Sequence, residues 1–335
     1  MSGPVDVHAH IASPDALDEM RKIHADAIPT LDYQGDDTLL LRYPSGVVNG
    51  PVPVGVVNPK VRLSDMDRTG IDHQVLSTRP QMFTYDLPGE LAGPLASLAN
   101  DALVAVSHDH PDRFSALISL PMQDPQRAIA EIERLGGDRC VRGAFIDSNL
   151  AGRNLDDFEF RPVWAALEAA ELPVLVHPYQ ADTLGKDRLG SYYLFNLIGN
   201  PADTTVAVAS VIFGGLLDAY PKLRWAFVHG GGVAPYLIGR WDHGHQVRPE
   251  PKEFLGQDKP SDHFGRVFFD SLVHHLSVLR FLIDLVGADH IMLGSDYPFD
   301  MGQRDPAGTI RSYGLSPRDE EAILSGTTER FLRPR

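Results

Sequence analysis

The sequence contains almost no cysteine. Cys140 is its only one, so the chain has no internal disulfide and no set of thiolates with which to bind a metal. A reducing compartment such as the cytoplasm is therefore expected. Any bound metal ion would have to be held by histidines and carboxylates.

The sequence also lacks an excess of positive charge and a long apolar run. Lys and Arg number 30 against 45 Asp and Glu, which gives a net charge of -15. Such a chain repels nucleic acid and anionic membranes, which leaves a small molecule as the expected partner. The apolar stretch 206–217 is too short and too glycine-broken to span a bilayer. Residues 1–8 show no secretory signal pattern.

Short apolar runs alternate with helical stretches over most of the 335 residues. Parallel strands are buried on both faces and read as continuous apolar runs. The runs lie at 5–7, 74–77, 114–120, 141–146, 173–176, 224–228, 266–269 and 291–294. Eight such runs with helices between them predict an α/β fold, a (β/α)8 TIM barrel formed by residues 1–335 as one domain.

Residues 12–60 depart from this alternation of strands and helices. Apolar runs at 39–43, 46–48 and 53–57 are separated by Gly and Pro, which favours short strands joined by turns. The sequence predicts a small antiparallel β insertion after the first strand, within the barrel domain.

Five polar residues follow or end the predicted strands. His8 and His10 are two residues apart, so both side chains point to the same side of the first strand. His177, His229 and Asp296 each come at the end of a later run. The carboxyl ends of barrel strands meet at one mouth, where catalytic groups gather.

Three histidines and one aspartate form an N3O donor set. That set suits one Zn²⁺ per chain, with Mn²⁺, Co²⁺ or Fe²⁺ as alternatives. None of the predicted strands contains lysine, so a carbamylated lysine bridging two metals is not expected. A mononuclear site is predicted.

The motifs Val-Asp-Val-His8-Ala-His10, Val-Leu-Val-His177-Pro, Phe-Val-His229-Gly-Gly-Gly and Gly-Ser-Asp296-Tyr-Pro-Phe carry a family resemblance. Together they resemble the amidohydrolase superfamily, in the branch of α-amino-β-carboxymuconate-ε-semialdehyde decarboxylase. The similarity runs nearly end to end and includes the β insertion.

The resemblance implies a role for each motif residue. His8, His10, His177 and Asp296 would be the zinc ligands, and His229 would be the base that takes a proton from metal-bound water. Asp296 would also take part in proton transfer. Arg240 matches an arginine that reaches into the neighbouring subunit's site, which implies a homodimer. An ordinary surface ion pair is the alternative for Arg240.

Three positions depart from the family pattern. The branch places a carboxylate-binding arginine about where this chain has Gly50. Arg79 stands at the end of the second predicted strand and could bind a carboxylate instead, or form a surface salt bridge. Asp147 ends another strand and could bind a substrate hydroxyl or amine, or pair with Arg79. The substrate is therefore expected to differ from that of the branch's namesake.

Aromatic residues follow several of the same strands. Phe83, Tyr179 and Phe299 are candidates for an apolar wall around a planar substrate, with loop packing as the alternative for each.

These features predict a zinc-dependent, non-oxidative decarboxylase of an aromatic or muconate-like acid, an enzyme of aromatic-compound catabolism. A hydrolase acting on an amide, a lactone or a carbon–carbon bond at the same site is the first alternative. A metal-binding protein without catalysis is disfavoured, because His229 would have no function there.

Overall fold

The computed structural model describes residues 3–179 and 184–332. Eight of its strands are parallel and form one sheet, in the order β1-β5-β6-β7-β8-β9-β10-β11. These strands are β1 (Val5–Ile11), β5 (His73–Thr78), β6 (Phe114–Ser119), β7 (Val141–Asp147), β8 (Val174–His177), β9 (Trp225–Phe227), β10 (Phe268–Asp270) and β11 (Ile291–Met292). Each predicted run overlaps one of them, which confirms the predicted barrel.

The sheet closes on itself between its first strand and the residues after its last one. The Val7 amide donates to the Leu293 carbonyl at 2.9 Å, and the Asp296 amide donates to the His8 carbonyl at 2.8 Å. The His10 amide donates to the Tyr297 carbonyl at 2.7 Å. These backbone bonds place Asp296 directly beside His8 and His10.

Helices follow the strands and cover the outside of the barrel. They are α1 (Pro14–Ile23), α2 (Pro59–Thr69), α3 (Gly89–Asp109), α4 (Pro125–Leu135), α5 (Arg161–Ala169), α6 (Asn200–Phe213), α7 (Leu216–Ala219), α8 (Ala234–Val247), α9 (Pro260–Phe264), α10 (Leu276–Val286), α11 (Pro306–Ser312), α12 (Pro317–Glu321) and α13 (Thr327–Phe331). Many begin with a polar cap followed by proline, a combination that favours helix initiation. The Asp124 carboxylate, for example, accepts from the Arg127 amide at the start of α4.

The insertion contains a three-stranded antiparallel sheet of β2 (Thr30–Gln34), β3 (Thr38–Arg42) and β4 (Val48–Pro53). The apolar run at 53–57 is not a strand, because Val54–Val56 forms a 3-10 turn that leads into α2. The first strand of the sheet carries a mixed polar sequence, which is why no apolar run marked it in advance.

The core lies between the barrel sheet and its helices. Trp164 on α5 and Trp225 on β9 are fully buried, and their rings meet edge to face with centroids 4.9 Å apart. None of the helices within residues 3–179 and 184–332 has the length and apolarity that a membrane crossing requires.

Candidate metal centre and the cavity above it

The barrel strands deliver the predicted polar residues to one end. His8 and His10 lie in the second half of β1, and His177 is the last residue of β8. His229 follows β9 by two residues, and Asp296 follows β11. Because all strands are parallel, these side chains meet at the carboxyl-terminal mouth of the barrel.

The imidazoles converge on the Asp296 carboxylate. Its Oδ1 atom lies 3.1 Å from Nε2 of His10, 3.3 Å from Nε2 of His8 and 3.9 Å from Nε2 of His177. Nε2 of His229 lies 3.7 Å from Oδ2 of the same carboxylate. The structure thus brings all five predicted residues together.

The other ring nitrogen of three histidines is held from outside the cluster. His8 Nδ1 lies 2.7 Å from Oδ2 of Asp270, His10 Nδ1 lies 3.0 Å from the Thr78 carbonyl, and His177 Nδ1 lies 2.7 Å from the Pro178 carbonyl. A carbonyl or an ionised carboxylate can only accept, so Nδ1 carries the proton in each ring. In its neutral form, each ring therefore presents the lone pair of its Nε2 to the centre.

This arrangement fits a metal ion. Nε2 of His8 and Nε2 of His177 are buried and have no hydrogen-bond partner among the described residues. Three lone pairs and a carboxylate facing one another repel unless a cation lies between them. Ligating histidines typically donate their second nitrogen to a carboxylate or carbonyl, as these three do.

Burial and charge shift the titration of these groups. Burial lowers the pKa of His10 to about 4 and that of His177 to about 3, which keeps both rings neutral, the form that binds metal. For His8 burial acts in the same direction, but the carboxylates of Asp296 and Asp270 outweigh it and raise the pKa to about 10. In the protein without metal, a proton on His8 supplies the positive charge between these two carboxylates.

Asp270 was not among the residues predicted from the sequence. It is fully buried at the end of β10, and besides His8 it accepts from the Gly230 amide at 2.9 Å. Its position at a strand end is the same signal that marked the other residues. The predicted seventh strand stopped one residue short of it.

His229 differs from the other three histidines. Its Nδ1 is buried without a partner among the described residues, and 19% of its side chain is exposed to the cavity. Among the described residues, its Nδ1 has no acceptor like those that hold the other three rings, and its Nε2 faces Oδ2 of Asp296. The geometry also leaves room for His229 as a ligand, because donor atoms of His8, His177, His229 and Asp296 all lie within 4.8 Å of one another.

Two of the site residues have an unusual backbone conformation. His229 has φ of 55° and Asp296 has φ of 57°, in the left-handed region that L side chains rarely adopt. Such conformations cost about 1–3 kcal/mol each and cluster at functional sites. Gly232 allows the turn after His229, since a Cβ there would lie 2.1 Å from the Pro201 carbonyl oxygen.

A cavity of about 740 Å³ opens above the centre. Its lining includes His177, His229 and Asp296, together with the aromatic residues Tyr179 and Phe299. Arg79 also lines it, with only 1% of its surface exposed. The surface salt bridge considered for Arg79 is therefore absent among the described residues.

Two predicted substrate contacts, Phe83 and Asp147, are not among the residues that line this cavity. Phe83 packs in the core, with its ring stacked on Tyr85 at a centroid distance of 5.3 Å. The buried Asp147 carboxylate accepts from the backbone amides of Ser148 and Tyr179 and does not pair with Arg79.

Arg240 is exposed on α8 and does not line the cavity of its own chain, and its contact with a neighbouring subunit's site stays a prediction. Sequence position placed Phe83 and Asp147 at or near strand ends, but only the packed structure shows which way each side chain turns.

Comparison with known proteins gives consistent matches. The family model described as Amidohydrolase matches residues 5–333. The chain is 38% identical over 276 residues to 2-amino-3-carboxymuconate-6-semialdehyde decarboxylase of Dictyostelium discoideum, covering 82% of this chain and 76% of that protein.

Solved structures share the fold over nearly the whole chain. The 5-carboxyvanillate decarboxylase of Sphingomonas paucimobilis superposes with a TM-score of 0.83 at 24% identity, covering 99% of both chains. That of Novosphingobium aromaticivorans, solved with bound manganese, has a TM-score of 0.80 at 20% identity and covers 98% of this chain and 95% of that one.

Proposed function

This chain belongs to the amidohydrolase family, in its decarboxylase branch, and we propose that it removes CO₂ non-oxidatively from an aromatic or muconate-like carboxylic acid. The observation that carries the proposal is the convergence of three imidazole Nε2 atoms and the Asp296 carboxylate beneath a cavity. The decarboxylase relative at 38% identity supports the reaction type.

His8, His10, His177 and Asp296 would hold one divalent ion. The N3O donor set favours Zn²⁺, and manganese, bound by a structural neighbour, is the main alternative. When bound, the ion supplies Lewis-acid polarisation of the substrate oxygens. The chain's own contribution is to fix the ligands: Asp270 and two backbone carbonyls set the orientation of the three rings.

His229 and Asp296 would handle the proton. Cleavage of the bond to the carboxyl group leaves an electron pair on carbon, and that carbon must gain a proton. His229 Nε2 lies 3.7 Å from Asp296 Oδ2, and both residues line the cavity. We assign proton delivery to this pair, with His229 as the group that exchanges protons with the cavity.

We also propose that the protein is a homodimer. Leu197 and Val233 are about half exposed and line the cavity rim. Tyr236 on α8 is 82% exposed, and Arg240 lies four residues further along on the same helix face. A second copy covering this apolar face would bury it and bring its Arg240 toward the cavity.

Trapping CO₂ tests the proposed reaction. The metal-loaded protein is incubated with carboxylated aromatics and ring-fission products, and substrate loss and CO₂ are measured together. We expect equal amounts of both, and about one metal ion per chain by elemental analysis. Substrate consumed without CO₂ would establish the hydrolase alternative, and two ions per chain would contradict the mononuclear site.

Substitution of His229 tests its assignment. His229→Asn is expected to lower kcat by about 10²–10⁴-fold, the usual contribution of general acid–base catalysis, with metal content unchanged. His110→Asn is the matched control, because His110 precedes β6 at the opposite end of the barrel. Unchanged turnover in His229→Asn would remove the residue from the mechanism, and loss of metal would make it a ligand.

A further inference from the structure

Arg79 is a buried cation that faces the cavity. It follows directly on β5, with 1% of its surface exposed, and it lines the same cavity as His177 and Asp296. Among the described residues that line the cavity, Arg79 is the only arginine or lysine.

Its guanidinium lacks an acceptor. Nε and Nη1 are buried without a hydrogen-bond partner, and no carboxylate of the described residues lies within 4.0 Å of the group. Its neighbours are instead aromatic: the Phe299 ring centroid is 5.3 Å away, and Tyr43 and Tyr179 are near enough to interact electrostatically.

Burial of an unpaired charge is costly, and it lowers the pKa of Arg79. Arg62 is equally buried, but it donates to the Gln74 side chain and to the His10 carbonyl. Both terminal nitrogens of Arg62 thus find acceptors in the protein, and only its Nε is left without one among the described residues. Arg79 is left to be satisfied by what enters the cavity.

We propose that Arg79 binds a second carboxylate of the substrate, one that stays in the product. The substrate would then be a dicarboxylate, with the departing carboxyl group at the metal centre and the retained one in a bidentate contact with Arg79. The inference rests on the proposed decarboxylation and adds the class of acid on which it acts.

The chemistry of the departing group explains why Arg79 holds the other carboxylate. As CO₂ forms, the departing carboxylate loses its negative charge. A guanidinium whose only substrate contact was that carboxylate would stabilise the substrate more than the transition state and would slow the reaction, whereas a metal ion would also polarise a neighbouring substrate oxygen. A carboxylate that keeps its charge is held equally well throughout, so Arg79 can anchor it without this penalty.

The β insertion cannot place an arginine at position 50 of the cavity lining. Gly50 lines the cavity with φ of 120°, and a Cβ there would lie 2.8 Å from the Leu39 carbonyl oxygen. Position 50 therefore has no space for an arginine in this backbone conformation. The positive charge comes from β5 instead.

Equilibrium binding to matched ligands tests the inference. Salicylate is compared with 4-hydroxyisophthalate and 2-hydroxyterephthalate, which carry one more carboxylate on the same ring. Calorimetry is run on the manganese-loaded protein and on the metal-free protein. We expect wild type to bind at least one dicarboxylate about tenfold or more tighter than salicylate, as charge-assisted bonds to a buried guanidinium would give.

Arg79→Met should abolish this preference while leaving the salicylate affinity of the loaded protein within about twofold. Arg79→Lys keeps the charge but loses the planar guanidinium, so it should retain part of the preference for dicarboxylates. If Arg79→Met does not fold, Arg79→Lys provides the test. Arg248→Met is the control for net charge, since Arg248 is exposed and paired with Glu250 at 2.5 Å. Its ligand affinities should match those of wild type.

Two results would overturn the inference. One is the absence of any dicarboxylate preference in wild type. The other is an equal loss of salicylate and dicarboxylate binding in Arg79→Met, which would place the departing carboxylate at Arg79. None of these measurements needs turnover, so failure of the proposed decarboxylation would appear separately, as substrate loss without CO₂.

Discussion

At the scale of single residues, the candidate metal centre depends on groups that do not touch the metal position. Asp270 orients His8 through a 2.7 Å bond to Nδ1 and at the same time accepts from the Gly230 amide beside His229. One buried carboxylate therefore positions both a proposed ligand and the start of the turn that carries the proposed base.

Asp270→Asn should weaken metal binding by about 10- to 100-fold, the range for partners of metal-ligating histidines. The amide keeps the shape of the side chain, but it removes the negative charge and one of the two acceptors. Metal affinity is measured by competition with a chelator. Asp284→Asn, at an exposed position of α10, is the control, and equal affinities in the two variants would contradict the orienting role of Asp270.

At the scale of elements, a buried network ties the first strand to the last. Asp6 on β1 accepts from the His8 amide, from Gln74 on β5, and from both the amide and the hydroxyl of Ser295 after β11. This network lies at the point where the barrel closes. It keeps the strand that carries two proposed ligands in register with the residue before Asp296.

Asp6→Asn should lower the free energy of unfolding by about 1–3 kcal/mol, because an amide leaves buried donors without their acceptor. Urea unfolding of the metal-free protein measures this free energy of unfolding without a contribution from metal binding. Asp67→Asn is the control, as Asp67 is 66% exposed in a surface pair with Arg113 and should change stability by less than about 0.5 kcal/mol. Equal stability of the two variants would show that the network does not support the barrel.

At the scale of the whole molecule, the proposed dimer can be tested by the activity of a mixture of two impaired variants. If Arg240 serves the partner's site, the His229→Asn and Arg240→Ala variants should complement each other when co-expressed. The mixed dimer contains one site with an intact His229 and an Arg240 supplied by the other chain.

Each variant alone should be impaired, and the mixture should regain activity, up to half of the wild-type value per dimer. Sedimentation velocity checks the assembly directly, and Tyr236→Asp should shift it toward monomer. Activity of the mixture that equals the average of the separate variants would place Arg240 outside the partner's site.

The amino-acid sequence by itself determined the barrel and the five polar residues at its mouth. Both follow from local patterns: apolar runs of strand length, and His or Asp at their carboxyl ends, which parallel strands bring to one place. The spacing of His8 and His10 fixes their common direction because side chains in a strand alternate.

Only the tertiary structure decided which way the remaining side chains turn. Arg79 and Asp147 both end barrel strands, yet Arg79 faces the cavity without a partner while Asp147 is bonded to the local backbone. Asp270 and the left-handed conformations of His229 and Asp296 likewise depend on contacts between distant strands. Such contacts have no local signature, because they arise only when the closed barrel brings residues far apart in sequence against one another.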